Sequence, residues 1–461
     1  MSSTLNTLTR NDKVHFIGIG GVSMSGLAEI LLTKNIKVSG SDMKDSSITE
    51  HLRELGVEIS IGHSPSNISE DVSVIVYTAA IAKDNPELVS ANNRNLPMFT
   101  RAEFLGEIMK DYKHNIAVSG THGKTTTTSM VSHILLKGEK DPTILVGGSL
   151  DIINGYVRTG KSDYFLTEAC EYKGSFLSFY PTIGIILNID ADHLDYYKDI
   201  DEIEEAFQKF AYLIPRDGYL IVNNEDERAV NVAKNSNCNT ITFGIDNGDI
   251  IAKNVTFNSL GHGSFDMFYK GCEYFHVTLK VPGRHNVLNS LSAMAAAIAS
   301  GIEPNHIKAG IESFGGTHRR FEFKGTVDDI TVIDDYAHHP TEIKATLEAC
   351  KNVSHNRLIC VFQPHTYTRT YSLFKDFSEC FGGITKLVLA DIYAAREKDT
   401  GIVSSQRLGD AIRLNGVDCI NLHSFEEITN FLKTYAKAGD MIITVGAGDI
   451  NKVGEDFLKS R

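Results

Sequence analysis

The sequence predicts an α/β protein of three domains, each organised on a parallel sheet. Three observations lead there. The chain has 461 residues, more than one hydrophobic core usually serves. Short β-branched runs alternate with helical patterns in three successive cycles, the arrangement that builds parallel sheets. Two of the cycles open on a strand that passes through a glycine loop into a helix.

The first cycle, residues 1–108, carries the strands VHFIGI, KVSGSD, VEIS and VSVIVYTAA, and RAEFLGEIMKDY reads as a helix leading out of it. The second, residues 109–317, opens with the strand NIAVSG and the helix after Lys124. It continues through DYFLTEAC, PTIGIILNID, a helix near residues 203–213 and GYLIVNN. A β-rich stretch follows at about residues 249–279, and NVLNSLSAMAAAIAS reads as a buried helix. The third, residues 318–461, runs through TVIDDY, a helix, RLICVFQP, a helix, KLVLADIY, a helix, MIITVGAG and a closing helix.

Lys and Arg number 45 against 58 Asp and Glu, a formal charge of -13, which excludes a general nucleic-acid surface and makes any phosphate binding local. The seven cysteines are scattered, with no C-x-x-C pair, and read as small core residues in a reducing compartment. The opening MSSTLNTLTRNDK has no apolar signal stretch, and no segment approaches a membrane span. A cytoplasmic protein is expected; its oligomeric state is not legible.

In the first loop, VHFIGIGGVSMSGLAEIL, Gly18, Gly20 and Gly21 lie where strand meets helix. Backbone can there approach a pyrophosphate while the helix N-terminus faces its charge, which predicts a Rossmann-like N-terminal domain. The dinucleotide fingerprint has a third glycine where Ser23 stands, and a serine there can cap the helix and still donate to phosphate. Asp42, ending the next strand, is placed to accept from a ribose hydroxyl or a base. The match is to a nucleoside diphosphate, nicotinamide being one candidate; a ligand-free tight turn is the plain alternative.

The second loop, SGTHGKTTTT, is sharper. Gly120, Thr121, His122 and Gly123 supply phosphate-cradling backbone, Lys124 a point charge for the terminal phosphates, and Thr125 and Thr126 hydroxyls, the first suited to magnesium. The loop is shorter than G-x(4)-G-K-[ST], since Val118 stands where that pattern has glycine. A central P-loop domain binding ATP is expected.

With both loops in place the chain resembles the Mur ligases, over essentially its whole length. The motifs are HFIGIGGVSMSGLAE, TAAIAKDNPE, SGTHGKTTTT, ADHLDYY, PGRHNVLNSLSA, RRFEFKG, DDYAHHPTEI, FQPHTYTRT and VGAGDI. The resemblance implies an ATP-dependent, amide-bond-forming ligase of cell-wall precursor synthesis, with a Rossmann-like C-terminal domain closing over ATP. GIGGVSMSGLAE and DDYAHHPTEI imply the branch that joins L-alanine to the carboxylate of UDP-N-acetylmuramate. The alternative is the branch that attaches a recycled murein peptide to the same sugar acid.

By that resemblance the first loop (Gly18, Gly20, Gly21, Ser23, Asp42) holds the UDP-sugar and the second holds ATP. Lys124 steadies the transferring phosphate, and Thr125, Glu168 and His193 hold Mg2+, or Mn2+ in its place. His285 and Asn289, four apart on one helical face, meet adenine and ribose. Arg320 and Asp335 reach ATP from the third domain, with Arg319 a solvated neighbour. Tyr336, His338 and Arg369 receive the amino acid, Arg369 through its carboxylate, and His338 is a candidate base for the amine. Several relatives carry a carbamylated lysine where this chain has Gln208, which fits the alanine-adding branch.

Overall fold

A computed structural model gives the fold and describes residues 8, 11–194, 196–395 and 397–460. Most of the opening segment MSSTLNTLTR, and Asp195 of the ADHLDYY motif, lie outside the described residues.

The N-terminal domain comprises β1 (Lys13–Ile17), α1 (Val22–Thr33), β2 (Lys37–Asp42), α2 (Ser47–Glu54), β3 (Glu58–Ile61), β4 (Val72–Tyr77), α3 (Pro86–Asn93), β5 (Met98–Thr100) and α4 (Arg101–Met109). Its sheet is parallel in the order β3-β2-β1-β4-β5. The chain winds one way from β1 and then returns to β4, so the loops after these two strands diverge and leave a crevice. Gly18 stands there with φ +84, and a Cβ on it would lie 2.6 Å from Thr78 Cγ2.

The central domain continues with β6 (His114–Ser119), α5 (Lys124–Lys137), β7 (Thr143–Leu150), β8 (Gly155–Arg158), β9 (Tyr164–Glu168), β10 (Ile183–Ile186), α6 (Ile200–Tyr212), β11 (Tyr219–Asn223), α7 (Glu227–Lys234) and β12 (Asn239–Gly244). It closes with β13 (Ile250–Phe257), β14 (His262–Tyr269), β15 (Cys272–Pro282), α8 (Arg284–Ala299) and α9 (Pro304–Ser313). Ten strands form one sheet, β15-β14-β13-β12-β11-β10-β6-β9-β7-β8, in which β8 at one edge and β14 near the other run against the remaining strands. The order places β6 between β9 and β10, so the loops after all three strands open side by side.

The C-terminal domain comprises β16 (Glu322–Val327), β17 (Ile330–Asp335), α10 (Pro340–Lys351), β18 (Leu358–Phe362), α11 (Tyr367–Ser372), α12 (Phe374–Ser378) and β19 (Lys386–Leu389). After these come α13 (Ser405–Leu414), β20 (Cys419–Asn421), α14 (Phe425–Tyr435), β21 (Met441–Val445) and α15 (Asn451–Lys459). Its sheet runs β16-β17-β21-β18-β19-β20, with only β16 antiparallel. No helix among the described residues is long and apolar enough to cross a membrane.

The structure adds elements that the sequence reading did not anticipate: β5, the β7–β8 hairpin, β16, β20 and α14. The cysteine reading also needs correction. Cys350, Cys360, Cys380 and Cys419 are core residues, but Cys272 is exposed beside the β14–β15 turn.

Candidate active site

In the first loop Gly18 N and Ile19 N donate to Ser41 O at 2.8 and 3.0 Å, and Gly20 N donates to Asp42 Oδ2 at 2.8 Å. Asp42 therefore spends one oxygen holding the loop, and its Oδ1 takes a long bond from Lys44 N. The capping expected of Ser23 is not observed. Gly21 is the N-cap of α1, without a side-chain bond, and the Ser23 hydroxyl is buried with no partner among the described residues. Ser23 lies inside the first turn, where its side chain cannot reach back to the cap position.

The second loop turns at Gly120 and Gly123 (φ +132 and +86), the latter capping α5. A Cβ on Gly123 would sit 2.7 Å from Asn289 Oδ1, which places that asparagine against the loop. Lys124 Nζ donates to Gly120 O (2.6 Å), Thr121 O (3.1 Å) and both oxygens of Glu171 (3.2 and 3.0 Å). Burial would lower the lysine pKa, but the charge and hydrogen bonds of Glu171, with Glu168 and Cys170 nearby, together outweigh it and hold it above its ordinary value.

Glu168 ends β9 beside this loop, with Oε1 accepting from Gly147 N at 2.6 Å. His193, at φ 56 in the loop after β10, packs against Tyr172 with ring centroids 4.6 Å apart and planes tilted by 36°, and its Nε2 lies 3.8 Å from Glu171 Oε1. The hydroxyl, carboxylate and imidazole of Thr125, Glu168 and His193 thus come from the ends of three adjacent strands, and this donor set fits a hard divalent cation.

A cavity of ≈ 340 Å³ beside the loop is lined by His122, Gly123, Thr126, His285, Asn289, Arg320 and Asp335, among others. Seven residues expected at ATP, from three separate stretches of chain, therefore face one space. Burial pushes His285 down to about 4, so it enters as neutral imidazole. Asp335 accepts from Ala337 N (2.7 Å) and Phe321 N (2.9 Å), and burial lifts it to about 6. Arg319 is no solvated neighbour. Its Nε donates to Asp334 Oδ2 at 3.1 Å and its Nη2 to the carbonyls of Gly446 and Gly448, which fixes the strand ends of the C-terminal sheet.

A second cavity, ≈ 310 Å³, is lined by Tyr172, Asp192, His193, His365, Arg369 and Glu397, among others. Arg369 Nε donates to Asp192 Oδ1 at 3.2 Å and Nη1 to His365 O at 2.8 Å. Tyr336 and His338 are close by rather than in its walls: the His338 ring lies 5.7 Å from Tyr336 and 6.0 Å from His365. Burial pushes His338 down to about 4, and its Nδ1 lies 3.0 Å from Tyr336 O. A carbonyl only accepts, so Nδ1 carries the proton and Nε2 keeps its lone pair. Gln208 is elsewhere, reaching Asn235 O at 3.4 Å from α6.

Beside the first cavity His122, Asp190 and His339 offer ligand atoms within 4.8 Å of one another. Their hydrogen bonds argue against a cation there. His122 faces a carboxylate with each nitrogen, Asp190 Oδ2 at 3.3 Å and Glu342 Oε1 at 3.4 Å, so both carry protons. His339 uses Nδ1 to accept from Thr341 N and Nε2 to reach Ala191 O.

Sequence reasoning missed Glu171, Asp190, Asp192, Glu342 and Glu397. Asp192 and Glu342 stood within motifs that had been singled out, Asp190 ends the strand PTIGIILNID, and Glu171 lies one residue past DYFLTEAC. Only the Glu342 spacing, three residues past His339 at a Pro-started helix, carries a local signal, that of a capping box.

This three-domain architecture, with two nucleotide loops and residues from all three sheets converging on them, is that of the Mur ligase family, to which the chain belongs. Matches are to the Mur ligase family catalytic domain over residues 13–113, the Mur ligase middle domain over 118–297 and the Mur ligase glutamate ligase domain over 319–448. The chain is 64% identical over 446 residues to a UDP-N-acetylmuramate--L-alanine ligase of Clostridium acetobutylicum, covering 97% of each. Among solved structures it resembles the UDP-N-acetylmuramate-alanine ligase MurC of Thermotoga maritima, with TM-score 0.82, 29% identity, and 97% and 98% of the two chains covered. A murein peptide ligase of Psychrobacter arcticus follows at TM-score 0.72 and 25% identity, over 97% and 98%.

Proposed function

We propose that this protein joins L-alanine to the carboxylate of UDP-N-acetylmuramate, with ATP converted to ADP and phosphate, in the cytoplasm. The three working units are taken as residues 1–108, 109–317 and 318–461. One observation carries the reading: a loop built for ATP and a pocket holding an arginine are neighbours, with Asp190 in the wall of the ATP cavity and Asp192 and His193 in the wall of the arginine pocket.

Gly18, Gly20 and Gly21 take the diphosphate of the sugar nucleotide, and Ser23 and Asp42 flank it. The lactyl carboxylate reaches the γ-phosphate of ATP; one carboxylate oxygen bonds to phosphorus and the bond to ADP breaks, leaving an acyl phosphate. Lys124 leaves Glu171 to follow the transferring charge. Thr125, Glu168 and His193 would hold Mg2+, which when bound would neutralise charge at the phosphates. His285, Asn289, Arg320 and Asp335 orient the nucleotide, and Arg369 the alanine carboxylate, with Tyr336 beside it. The amine then bonds to the acyl carbon, phosphate departs with the C–O electron pair, and the amine proton passes to His338 Nε2.

The test is phosphate release from ATP and magnesium with and without UDP-N-acetylmuramate, across L-alanine, glycine, L-serine and a tripeptide. Release requiring both the sugar acid and L-alanine is expected. Release only with the tripeptide would move the protein to peptide recycling, and release indifferent to the sugar acid would overturn the role of the first loop.

A further inference from the structure

We propose that Glu342 is a positioning residue that ties the ATP pocket to the amine site, one carboxylate oxygen serving each. The inference rests on the ligase reading above. Oε2 faces the amine side: it accepts from His338 N at 3.0 Å and His339 N at 3.2 Å, and lies 3.4 Å from His338 Nδ1. Oε1 faces the nucleotide side, 3.4 Å from His122 Nδ1 and 4.0 Å from Arg320 Nη1. The side chain is only 14% exposed, so these charges act with little screening by water.

At the amine end, Glu342 and the Tyr336 carbonyl face the same His338 nitrogen, holding the proton on Nδ1 and the lone pair on Nε2. This is how a carboxylate commonly orients a base through its far nitrogen. At the other end His122 carries a proton on each nitrogen between Glu342 and Asp190, which sets a cation at the mouth of the phosphate loop. The link crosses a domain boundary, since His122 follows β6 and Glu342 sits on α10. Only when α10 lies on the loop are base and cation both in place, which makes amine activation conditional on closure over the nucleotide.

The plain alternative is that Glu342 merely completes the capping box of α10 with His339. A box of this kind is served by Gln as well as by Glu. Glu342→Gln therefore keeps the cap and removes the charge. The readout compares two nucleophiles, since hydroxylamine is uncharged near neutral pH and intercepts an acyl phosphate without an enzymic base.

With saturating ATP, E342Q is expected to melt within about 2 °C of the unsubstituted protein, to lose about tenfold or more in L-alanine turnover and to keep hydroxamate formation within about threefold. Its KM for ATP should rise about threefold. Glu342→Asp keeps the charge and withdraws it by one methylene; should E342Q fail to fold, it too is expected to lower alanine turnover more than interception. Equal loss with both nucleophiles, or no loss in E342Q while E342A melts lower, would reduce Glu342 to a cap and overturn the inference. If the unsubstituted protein forms no hydroxamate that depends on the sugar acid, the ligase reading itself falls, and this inference with it.

Discussion

Where the N-terminal domain meets the central one, apolar side chains of both merge into a single core; where the C-terminal domain meets it, the contacts are largely polar and cavities intervene. On the first side Leu27, Phe104 and Ile108 share a cluster with Leu145, Phe165, Phe176 and Phe179. Backbones come close there: a Cβ on Gly26 of α1 would lie 2.4 Å from Leu145 Cδ1, and one on Gly106 of α4 only 2.0 Å from Ser178 O. On the second side Thr341 donates to Asp190 (2.7 Å), His339 reaches Ala191 O (3.2 Å), Arg369 pairs with Asp192 (3.2 Å) and His318 with Asp151 (3.1 Å). Separating the apolar side exposes surface that water does not reward, whereas polar groups on the other side exchange one set of hydrogen bonds for another. The contrast supports the expectation that the first two domains move as one body while the third opens for substrates and closes to shield an acyl phosphate.

The sharpest way to break the comparison is a substitution on the apolar side. Gly106→Val forces side-chain atoms against a backbone carbonyl that cannot rotate away, an overpacking cost of about 3 kcal/mol or more. Thermal unfolding should drop by about 6 °C or more, with affinity for the sugar nucleotide falling as the first loop shifts relative to the second. A melting temperature within about 1 °C of the unsubstituted protein would mean that this interface yields easily, and the contrast would fail.

On the polar side the expected effects invert, with function lost and stability kept. Arg369→Lys retains charge but not the planar fork that engages both oxygens of a carboxylate. KM for L-alanine should rise about tenfold to a hundredfold, while KM for ATP and the melting temperature change little, because the pair with Asp192 lies at the polar boundary expected to open. Steady-state kinetics with each substrate varied in turn decide it; equal rises for alanine and ATP would mean that Arg369 serves closure rather than amino-acid recognition.

The same contrast explains what was legible beforehand. The two loops are backbone geometry written within a few residues, so Gly18, Gly120 and Gly123 are readable, and all three have positive φ. The β7–β8 hairpin was not, because TILVGGSL breaks its β-branched run with a Gly147 whose purpose lies outside the segment: a Cβ there would meet the Glu168 carboxylate at 2.9 Å. The cations of the site were identified while their partners were missed. Lys124 and Glu171 are 47 residues apart and Arg369 and Asp192 are 177 apart, pairings that only the order of strands brings together. Arg319 was misjudged for the same reason, its carbonyl partners lying beyond β21. Roles for Glu168 and His193 came from likeness to a family, since no spacing rule announces either.

The smallest effect, and the finest discriminator between the two interfaces, is the dependence of closure on pH. Burial would lower His122, but the Asp190 and Glu342 carboxylates outweigh it and hold it at about 9, above an ordinary value of 6.5. A group raised on closure stabilises the closed form fully below its ordinary pKa and loses that contribution as pH rises through the shifted one. Both carboxylates are held low, so their charges persist through neutrality and fail only in acid. Closure should thus weaken between pH 6.5 and 9, while the apolar interface, with no proton to lose, stays fixed. Small-angle scattering of the ligand-free protein should show a radius of gyration larger at pH 9.5 than at 6.5 by on the order of 1 Å, against roughly 23 Å for a chain of this length. His122→Gln should abolish the difference and leave the larger value at both pH values; a profile unchanged by pH in the unsubstituted protein would mean that the polar side is as rigid as the apolar one.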